Sequence, residues 1–181
     1  MVRNILKRLT VVLLVPISVL LVCLLLFNTK NKPFLVQGGE THLPPIEFGG
    51  TGDTGGLFYD AMGVVADSSR NIYVMDPSYN RIQKFDSSGN FILTFGWGVQ
   101  DGSAAFQICT NNCRPGISGS GSGQFNTARG IAIDSSDHIY IADYGNHRIQ
   151  KFDSSGNFVL TFGWGVQDGS PAFQVCTGVC R

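Results

Sequence analysis

The sequence repeats itself at a fixed distance of 67 residues. Residues 81–114 are identical to residues 148–181 at 29 of 34 positions, without a gap. Upstream, "GVVADSSRNIYVMD" from Gly63 stands in the same register as "GIAIDSSDHIYIAD" from Gly130. Similarity at a fixed period is typical of architectures in which each unit buries its apolar faces against its neighbours. The chain is therefore predicted to build most of its fold from two copies of one unit.

Each unit has the pattern of short strands separated by turns. The second copy contains "GIAID", "HIYIAD", "RIQKFD" and "FVLTFG", which are rich in Ile, Val, Tyr and Phe and are bounded by Asp, Ser, Gly and Asn. Residues 153–157, "DSSGN", predict a hairpin loop that Gly156 closes with a positive φ. The pattern predicts an all-β fold, with one four-stranded antiparallel β-propeller blade per unit.

The second copy resembles an NHL repeat. The resemblance covers residues 119–163 most specifically, including Asn146-His147-Arg148 before the third strand, and extends more loosely over residues 55–163. It implies NHL-type blades, which form closed rings of about six. Two blades make an incomplete ring, so we expect a fragment or truncated product of a longer propeller, with self-association into a ring as the alternative.

The pattern of motifs also predicts the domain boundaries. Blade 1 with its insertion is expected over 57–118, and blade 2, truncated, over 119–181. Residues 28–56 are expected to form a linker that includes a partial outer strand of a preceding blade, because "IEFGGTGDTGGLF" from Ile46 resembles the end of a fourth strand and the entry into a new blade. In this segment, Phe48-Gly49 matches the Phe-Gly pair that ends the fourth strand of both units.

The N-terminal segment predicts a membrane anchor. Residues 9–27 carry no charge and approach the length of about 20 apolar residues that a transmembrane helix needs. Three basic residues lie in the tail 1–8 and two follow the apolar run, Lys30 and Lys32, which favours a cytoplasmic N-terminus and extracytoplasmic repeats. The alternatives are a cleaved signal peptide, which would leave a secreted protein, and a buried core helix.

The charge of the remaining chain argues against nucleic acid as a partner. After Lys32 there are eight Lys and Arg residues against thirteen Asp and Glu residues, a net charge of −5. A nucleic-acid-binding surface needs excess positive charge to meet the phosphate backbone. We therefore expect no nucleic acid among the partners.

An insertion makes each unit longer than the 40 to 45 residues of a WD-type blade. In the first unit it reads "WGVQDGSAAFQICTNNCRPGISGSG" and follows the fourth strand. Equivalent insertions lie on one face of a ring, so this face is our candidate for binding an unknown protein or small ligand. A loop without a binding role is the alternative. Trp97, Trp164 and Arg114 are the candidate binding-loop residues, although the tryptophans can equally pack each insertion onto its own blade.

Four of the five cysteines lie in the insertions. The pairs Cys109 with Cys113 and Cys176 with Cys180 are disulfide candidates outside the cytoplasm, while Cys23 lies in the apolar segment. Free thiols are an alternative. A zinc site is disfavoured because the spacing matches no common zinc module.

The sequence shows no catalytic constellation, so we predict no catalytic residue, cofactor or metal. His42, His138 and His147 do not cluster with carboxylates, and His147 is interpreted as structural. Four aspartates recur at strand ends and are interpreted as turn formers: Asp67, Asp76, Asp134 and Asp143.

The leading functional hypothesis is a membrane-anchored binding or sensing module. The resemblance implies it, because NHL propellers include extracytoplasmic sensor domains of bacterial membrane kinases, although no kinase segment is present. The alternative is a propeller enzyme of the lyase or hydrolase type that holds a metal in its central channel. Ubiquitin-ligase association would need a RING, for which five cysteines and three histidines in this arrangement do not suffice.

Overall fold

The computed structural model describes residues 47–180. The basic tail 1–8, the predicted anchor 9–27 and most of the linker 28–56 lie outside the described residues, and so do Cys23 and His42. Within the described part of the chain, no helix is long and apolar enough to cross a membrane.

The first repeat folds into one antiparallel sheet, which we call blade 1. Its strands follow one another in space as they do in sequence, and each pairs with the next. They are β1 (Gly63–Ala66), β2 (Ile72–Asp76), β3 (Arg81–Phe85), β4 (Phe91–Trp97) and β5 (Phe106–Cys109).

The second repeat forms blade 2, with the same order and pairing. Its strands are β6 (Ala128–Ile133), β7 (Ile139–Asp143), β8 (Arg148–Phe152), β9 (Phe158–Trp164) and β10 (Phe173–Cys176). The all-β prediction and the assignment of one blade to each repeat are confirmed.

The prediction of four strands per blade is wrong, because each insertion supplies a fifth. In blade 1, Phe106 pairs with Trp97 and Cys109 pairs with Thr94 across β4 and β5. The insertion alternates in polarity here, and its apolar residues Phe106 and Ile108 pack on the core between the blades. The insertion is therefore partly an outer strand that covers the edge of β4, rather than a long loop.

The core lies between the two sheets. Because side chains alternate across a strand, each blade has two faces. The face of blade 1 that bears Ile82 and Phe95 packs against the face of blade 2 that bears Ile141 and Phe152. The ring of Phe152 lies 4.9 Å from that of Phe95 and 5.6 Å from that of Phe125. This aromatic cluster fixes the two blades against each other.

The connections divide between two ends of each sheet. At the turn end lie the β1–β2 and β3–β4 turns and their counterparts in blade 2, including the predicted hairpin loop at Gly156, whose φ is +86°. At the loop end lie the 3-10 helices Pro77–Tyr79 and Tyr144–Asn146 and the starts of both insertions. The two insertions therefore leave from the same end, as the repeat predicts.

Candidate functional site

A buried arginine ties the chain entering blade 1 to the sheet. Arg81 is 1% exposed, and its Nε donates to Asp76 Oδ2 at 3.3 Å. Gln83 lies beside it and donates to the carbonyl of Leu57 at 2.6 Å. The guanidinium also donates to four backbone carbonyls, those of Asp53, Thr54, Leu57 and Arg114. Desolvation lowers the pKa of Arg81, and the charge of Asp76 opposes this effect. The ion pair with Asp76 thus stabilises the charged guanidinium in its buried position.

Blade 2 repeats this arrangement 67 residues later. Arg148 Nε donates to Asp143 Oδ2 at 2.9 Å, and the guanidinium donates to carbonyls of the segment 120–124. Gln150 donates to Gln124 in the same segment. We call each of these sets a clasp; they are Asp76–Arg81–Gln83 and Asp143–Arg148–Gln150.

The second oxygen of each clasp carboxylate positions the chain just before the first strand. Asp76 Oδ1 accepts the amide of Asp60 at 3.3 Å, and Asp143 Oδ1 accepts the amide of Asn126 at 2.7 Å. The carbonyl of Asn126 in turn accepts the amide of Gly145 at 2.8 Å. Each buried ion pair therefore fixes the backbone of a residue that lines the pocket described next.

A pocket of about 540 Å³ opens between the two blades at the loop end. Both blades contribute to its walls. Blade 1 and the segment entering it supply Asp60, Met62, Pro77, Ser78 and Asn80, while blade 2 and the segment entering it supply Ser118, Asn126, Thr127, Ala128 and Arg129. The volume falls in the range of small-molecule sites and also suits one or two side chains of a peptide.

The pocket has opposite charges on its two walls and apolar groups at its rim. Asp60 belongs to the blade 1 wall and Arg129 to the blade 2 wall. The Arg129 guanidinium carbon lies 3.9 Å from the centroid of the Tyr144 ring, a cation–π contact that orients the side chain. Met62 is 58% exposed, and Tyr59 and Tyr144 are also exposed. Such a surface suits a ligand that is both charged and apolar.

Thr127 has a strained backbone in the pocket wall. Its φ is +52°, a region that a β-branched residue rarely adopts. The preceding Asn126 is held in place, because its amide donates to Asp143 and its carbonyl accepts the amide of Gly145. Strain that persists in an otherwise well-anchored segment is a frequent feature of binding and catalytic sites.

The predicted binding-loop residues lie outside this pocket. Trp97 is half-buried and packs on its own insertion, since a Cβ added at Gly121 would lie 3.1 Å from its ring. Trp164 is exposed on the outer face of blade 2, and the exposed Arg114 extends towards the carbonyl of Asp101 at 3.5 Å. The structure does not bring the three together, and a role in ligand binding stays a prediction for each.

The cysteines of each insertion form a disulfide within it. Cys109 is bonded to Cys113 and Cys176 to Cys180. The first disulfide packs on buried Val99, which follows β4. Each bond therefore ties the end of the fifth strand to the segment that follows it, and the bonded cysteines pack on a valine of the loop before that strand.

The histidines that the structure describes have local roles. His147 caps the 3-10 helix Tyr144–Asn146 with a φ of +53°, its amide donates to Tyr144, and the residue is exposed. His138 Nδ1 lies 3.2 Å from Asp134. Within residues 47–180, no group of three or more His, Cys, Asp or Glu residues is placed to hold a metal ion.

The interpretation of the recurring aspartates holds for one pair and not for the other. Asp67 accepts the amide of Asn71 and Asp134 accepts the amide of His138, so both are turn formers. Asp76 and Asp143 are instead the buried anions of the clasps, because each faces an arginine across the β2–β3 or β7–β8 pair. The spacing Asp-x4-Arg-x-Gln occurs in both repeats and is the sequence signal that separates these two aspartates from the turn formers.

Comparison with known proteins agrees with this architecture. The family model of the NHL repeat matches residues 125–152, which contain all of β6, β7 and β8. Protein brain tumor of Drosophila melanogaster is 42% identical over 52 residues, which are 29% of this chain and 5% of that protein. The probable peptidyl-alpha-hydroxyglycine alpha-amidating lyase pgal-1 of Caenorhabditis elegans is 24% identical over 119 residues, which are 65% of this chain and 29% of that protein. The chain thus matches less than a third of the length of each relative.

Proposed function

We propose that this NHL-repeat chain is a protein-binding module whose ligand enters the pocket between the blades. The observation that carries the proposal is the pocket of about 540 Å³, to which both blades contribute and which has Asp60 and Arg129 on opposite walls. Exposed Met62 lines it, exposed Tyr144 contacts the lining residue Arg129, and exposed Tyr59 precedes the lining residue Asp60. Aromatic, Met and Arg side chains are enriched at protein interfaces. NHL repeats generally mediate protein binding, which supports a protein rather than a metabolite as the ligand.

Site-specific photocrosslinking tests this proposal. The full chain carries a photoreactive amino acid at Met62 and, as a matched control, at Ala104, which is exposed in the β4–β5 loop and does not line the pocket. We expect an adduct of discrete mass from position 62 only. Arg129→Ala should reduce that adduct at least tenfold, since it removes the charge of one wall. Equal adducts from both positions, or a yield that Arg129→Ala leaves unchanged, would contradict the proposal.

We further propose that the module works outside the cytoplasm, anchored by residues 9–27. The uncharged apolar run and the basic residues on both sides of it support this orientation. An anchored chain stays in the membrane after alkaline extraction, and external protease degrades its repeats in intact cells. A released product that begins after residue 27 would instead identify a cleaved signal peptide.

A second candidate function is lyase activity on peptidyl α-hydroxyglycine. It is favoured by the similarity to the Caenorhabditis elegans protein, which extends over 119 residues of this chain. Carboxylate and imidazole groups from several blades would have to converge for a metal in a central channel, and no such group occurs among residues 47–180. Incubation of the full chain with a peptidyl-hydroxyglycine substrate, together with elemental analysis, tests this candidate directly.

A further inference from the structure

Blade 2 presents an apolar sheet face to solvent. Phe173 is 63% exposed and Val175 is 50% exposed on its outermost strand, and Phe162 lies half-exposed on the next. Sheet faces of this kind normally pack against another layer. We call this surface the open face, defined by Tyr140, Ile149, Lys151, Phe162, Phe173 and Val175.

The open face repeats the surface of blade 1 that packs against blade 2. Ile82 and Phe95 are fully buried in that internal interface, and their counterparts 67 residues later are Ile149 and Phe162. The strand pairing is the same, since Ile82 pairs with Phe95 and Ile149 pairs with Phe162. The open face therefore has the apolar side chains and the strand register needed to pack against a surface like the blade 2 face of the internal interface.

Polar contacts at the turn end fix the internal interface. Lys84 Nζ and the Tyr73 hydroxyl both donate to the carbonyl of Ser154, at 2.8 Å and 2.9 Å. Ser68 donates from its amide and its hydroxyl to the carboxylate of Asp137, at 2.8 Å and 2.6 Å. On the open face, Tyr140, Lys151 and Ser135 occupy the positions of Tyr73, Lys84 and Ser68, so blade 2 carries the same set of donors.

The opposite face of blade 1 offers the matching acceptor. Its turn "DSSGN", residues 86–90, is identical to residues 153–157. Ser87 stands where Ser154 stands in blade 2, and it is exposed. Phe85 likewise corresponds to Phe152, the centre of the aromatic cluster between the blades. A second copy of the chain thus presents the surface that the open face fits.

Phe48 makes the corresponding aromatic contact within the chain. Its ring lies 4.8 Å from Phe85 at an interplanar angle of 44°, while Phe95 lies 4.9 Å from Phe152 at 43°. A Cβ added at Gly89 would lie 2.8 Å from Phe48, just as one added at Gly156 would lie 2.7 Å from Phe95. Phe48 therefore holds the place that an aromatic residue of a preceding blade would take.

Charge also favours a second copy. Arg70 replaces Asp137 at the equivalent turn position, and both residues have a left-handed backbone, with φ of +65° and +61°. A second copy docked as blade 2 docks on blade 1 would bring Arg70 beside Ser135. The neighbouring carboxylate of Asp134 pairs with His138 and Lys151, and because it is 33% exposed it can also pair with this arginine.

We propose that the open face of blade 2 binds blade 1 of a second copy, head to tail, with Phe162 displacing Phe48 from Phe85. Such an interface joins different surfaces of identical chains, so it closes into a ring if the rotation allows. Displacement of Phe48 makes the association weaker than the internal interface. The proposal does not depend on the ligand pocket, which lies at the loop end of the blades.

Cysteine crosslinking between copies tests this interface. Two full-length chains, one with Arg70→Cys and one with Ser135→Cys, are expressed together in a Cys23→Ser background and oxidised in the membrane. We expect a covalent dimer on a non-reducing gel. Ser68→Cys with Asp137→Cys in one chain is the internal control, which should form a disulfide within that chain, with the loss of two hydrogens and without a dimer. No dimer where this control closes would overturn the proposal.

Three further substitutions test the contacts themselves. Phe162→Asp should lower the dimer yield at least tenfold while the internal control still closes, which shows that the blades remain folded. Phe48→Ala should raise the yield several-fold, because it frees Phe85. Val179→Asp is the matched control, since Val179 is 96% exposed and its counterpart Asn112 in blade 1 is exposed as well. A yield that is insensitive to Phe162→Asp, or one that Phe48→Ala does not raise, would contradict the proposal.

Discussion

At the scale of single residues, each blade depends on one buried arginine. Arg81 and Arg148 neutralise an aspartate and satisfy the carbonyls of the chain that enters the blade. A buried charge costs free energy unless it is paired and hydrogen-bonded, and here both conditions are met. The same aspartates accept backbone hydrogen bonds from Asp60 and Asn126, which line the pocket. The aspartates therefore contribute both to stability and to the candidate site.

Arg148→Met should destabilise the protein by about 3 kcal/mol, because it leaves the buried carboxylate of Asp143 without its cation. Chemical unfolding of the full chain in detergent measures this change. The control is Arg114→Met, an exposed arginine whose loss should change stability by no more than about 0.5 kcal/mol. Equal effects of the two substitutions would show that the clasp does not stabilise the blade.

The sequence indicated the repeated aspartates but not the roles of all of them. Asp134 and Asp143 both stand at the end of a short apolar run, so the local pattern alone cannot separate a turn former from a buried anion. The difference arises from the arginine that the β7–β8 pairing brings opposite Asp143. Tertiary contact, rather than local preference, decided that role.

At the scale of secondary structure, the β4–β5 connection is organised by a carboxylate. Asp101 accepts the amide of Ser103 and the side-chain amide of Gln107. The Gln107 hydrogen bond, followed by those of Ser103, lowers the pKa of Asp101 to about 2. Asp168 has the same contacts in blade 2, and its pKa is likewise lowered to about 2.

These two carboxylates should make stability fall in acid. Their folded pKa lies below the ordinary value of 3.8, so their contribution is complete above that value and is lost as the pH falls towards 2. Thermal unfolding between pH 5 and pH 2 should show a declining midpoint. Asp101→Asn with Asp168→Asn should make that decline shallower, and an unchanged slope would contradict the assignment.

Removal of a disulfide should loosen one strand rather than the whole blade. The ring closed by Cys109 and Cys113 is short, so Cys109→Ala with Cys113→Ala should cost at most about 2 kcal/mol. Amide hydrogen exchange should accelerate in Phe106–Cys109 more than in β1 to β4. The corresponding double substitution in blade 2 should act on Phe173–Cys176. Uniform acceleration across the blade would contradict this local role.

The fifth strand shows the limit of the sequence pattern. "FQIC" is four residues long and lies between polar loops, so it gives a weaker signal than "FILTFG". Its alternation of Phe106, Gln107 and Ile108 is the period of a strand with one buried face. The face becomes buried only because blade 2 packs against it, which no window within one repeat reveals.

At the scale of the whole molecule, two nearly identical sequences occupy different environments. The repeat predicted the blades and the common end of their insertions, because both follow from periodicity. The pocket could not be predicted in this way, since its lining combines residues of different repeats, such as Asp60 and Arg129. Its residues have no shared motif, and only the packing of one blade on the other defines it.

Oxidative footprinting of the full chain at high dilution tests the central structural claim most directly. The two copies of "LTFGWGVQDGS" give tryptic peptides of different mass, so each copy reports separately on its surroundings. We predict that blade 2 and the first insertion protect Phe95 and Trp97 from oxidation, whereas Phe162 and Trp164 are oxidised readily. Equal modification of the two copies would contradict the packing of blade 1 on blade 2 and, with it, the pocket between them.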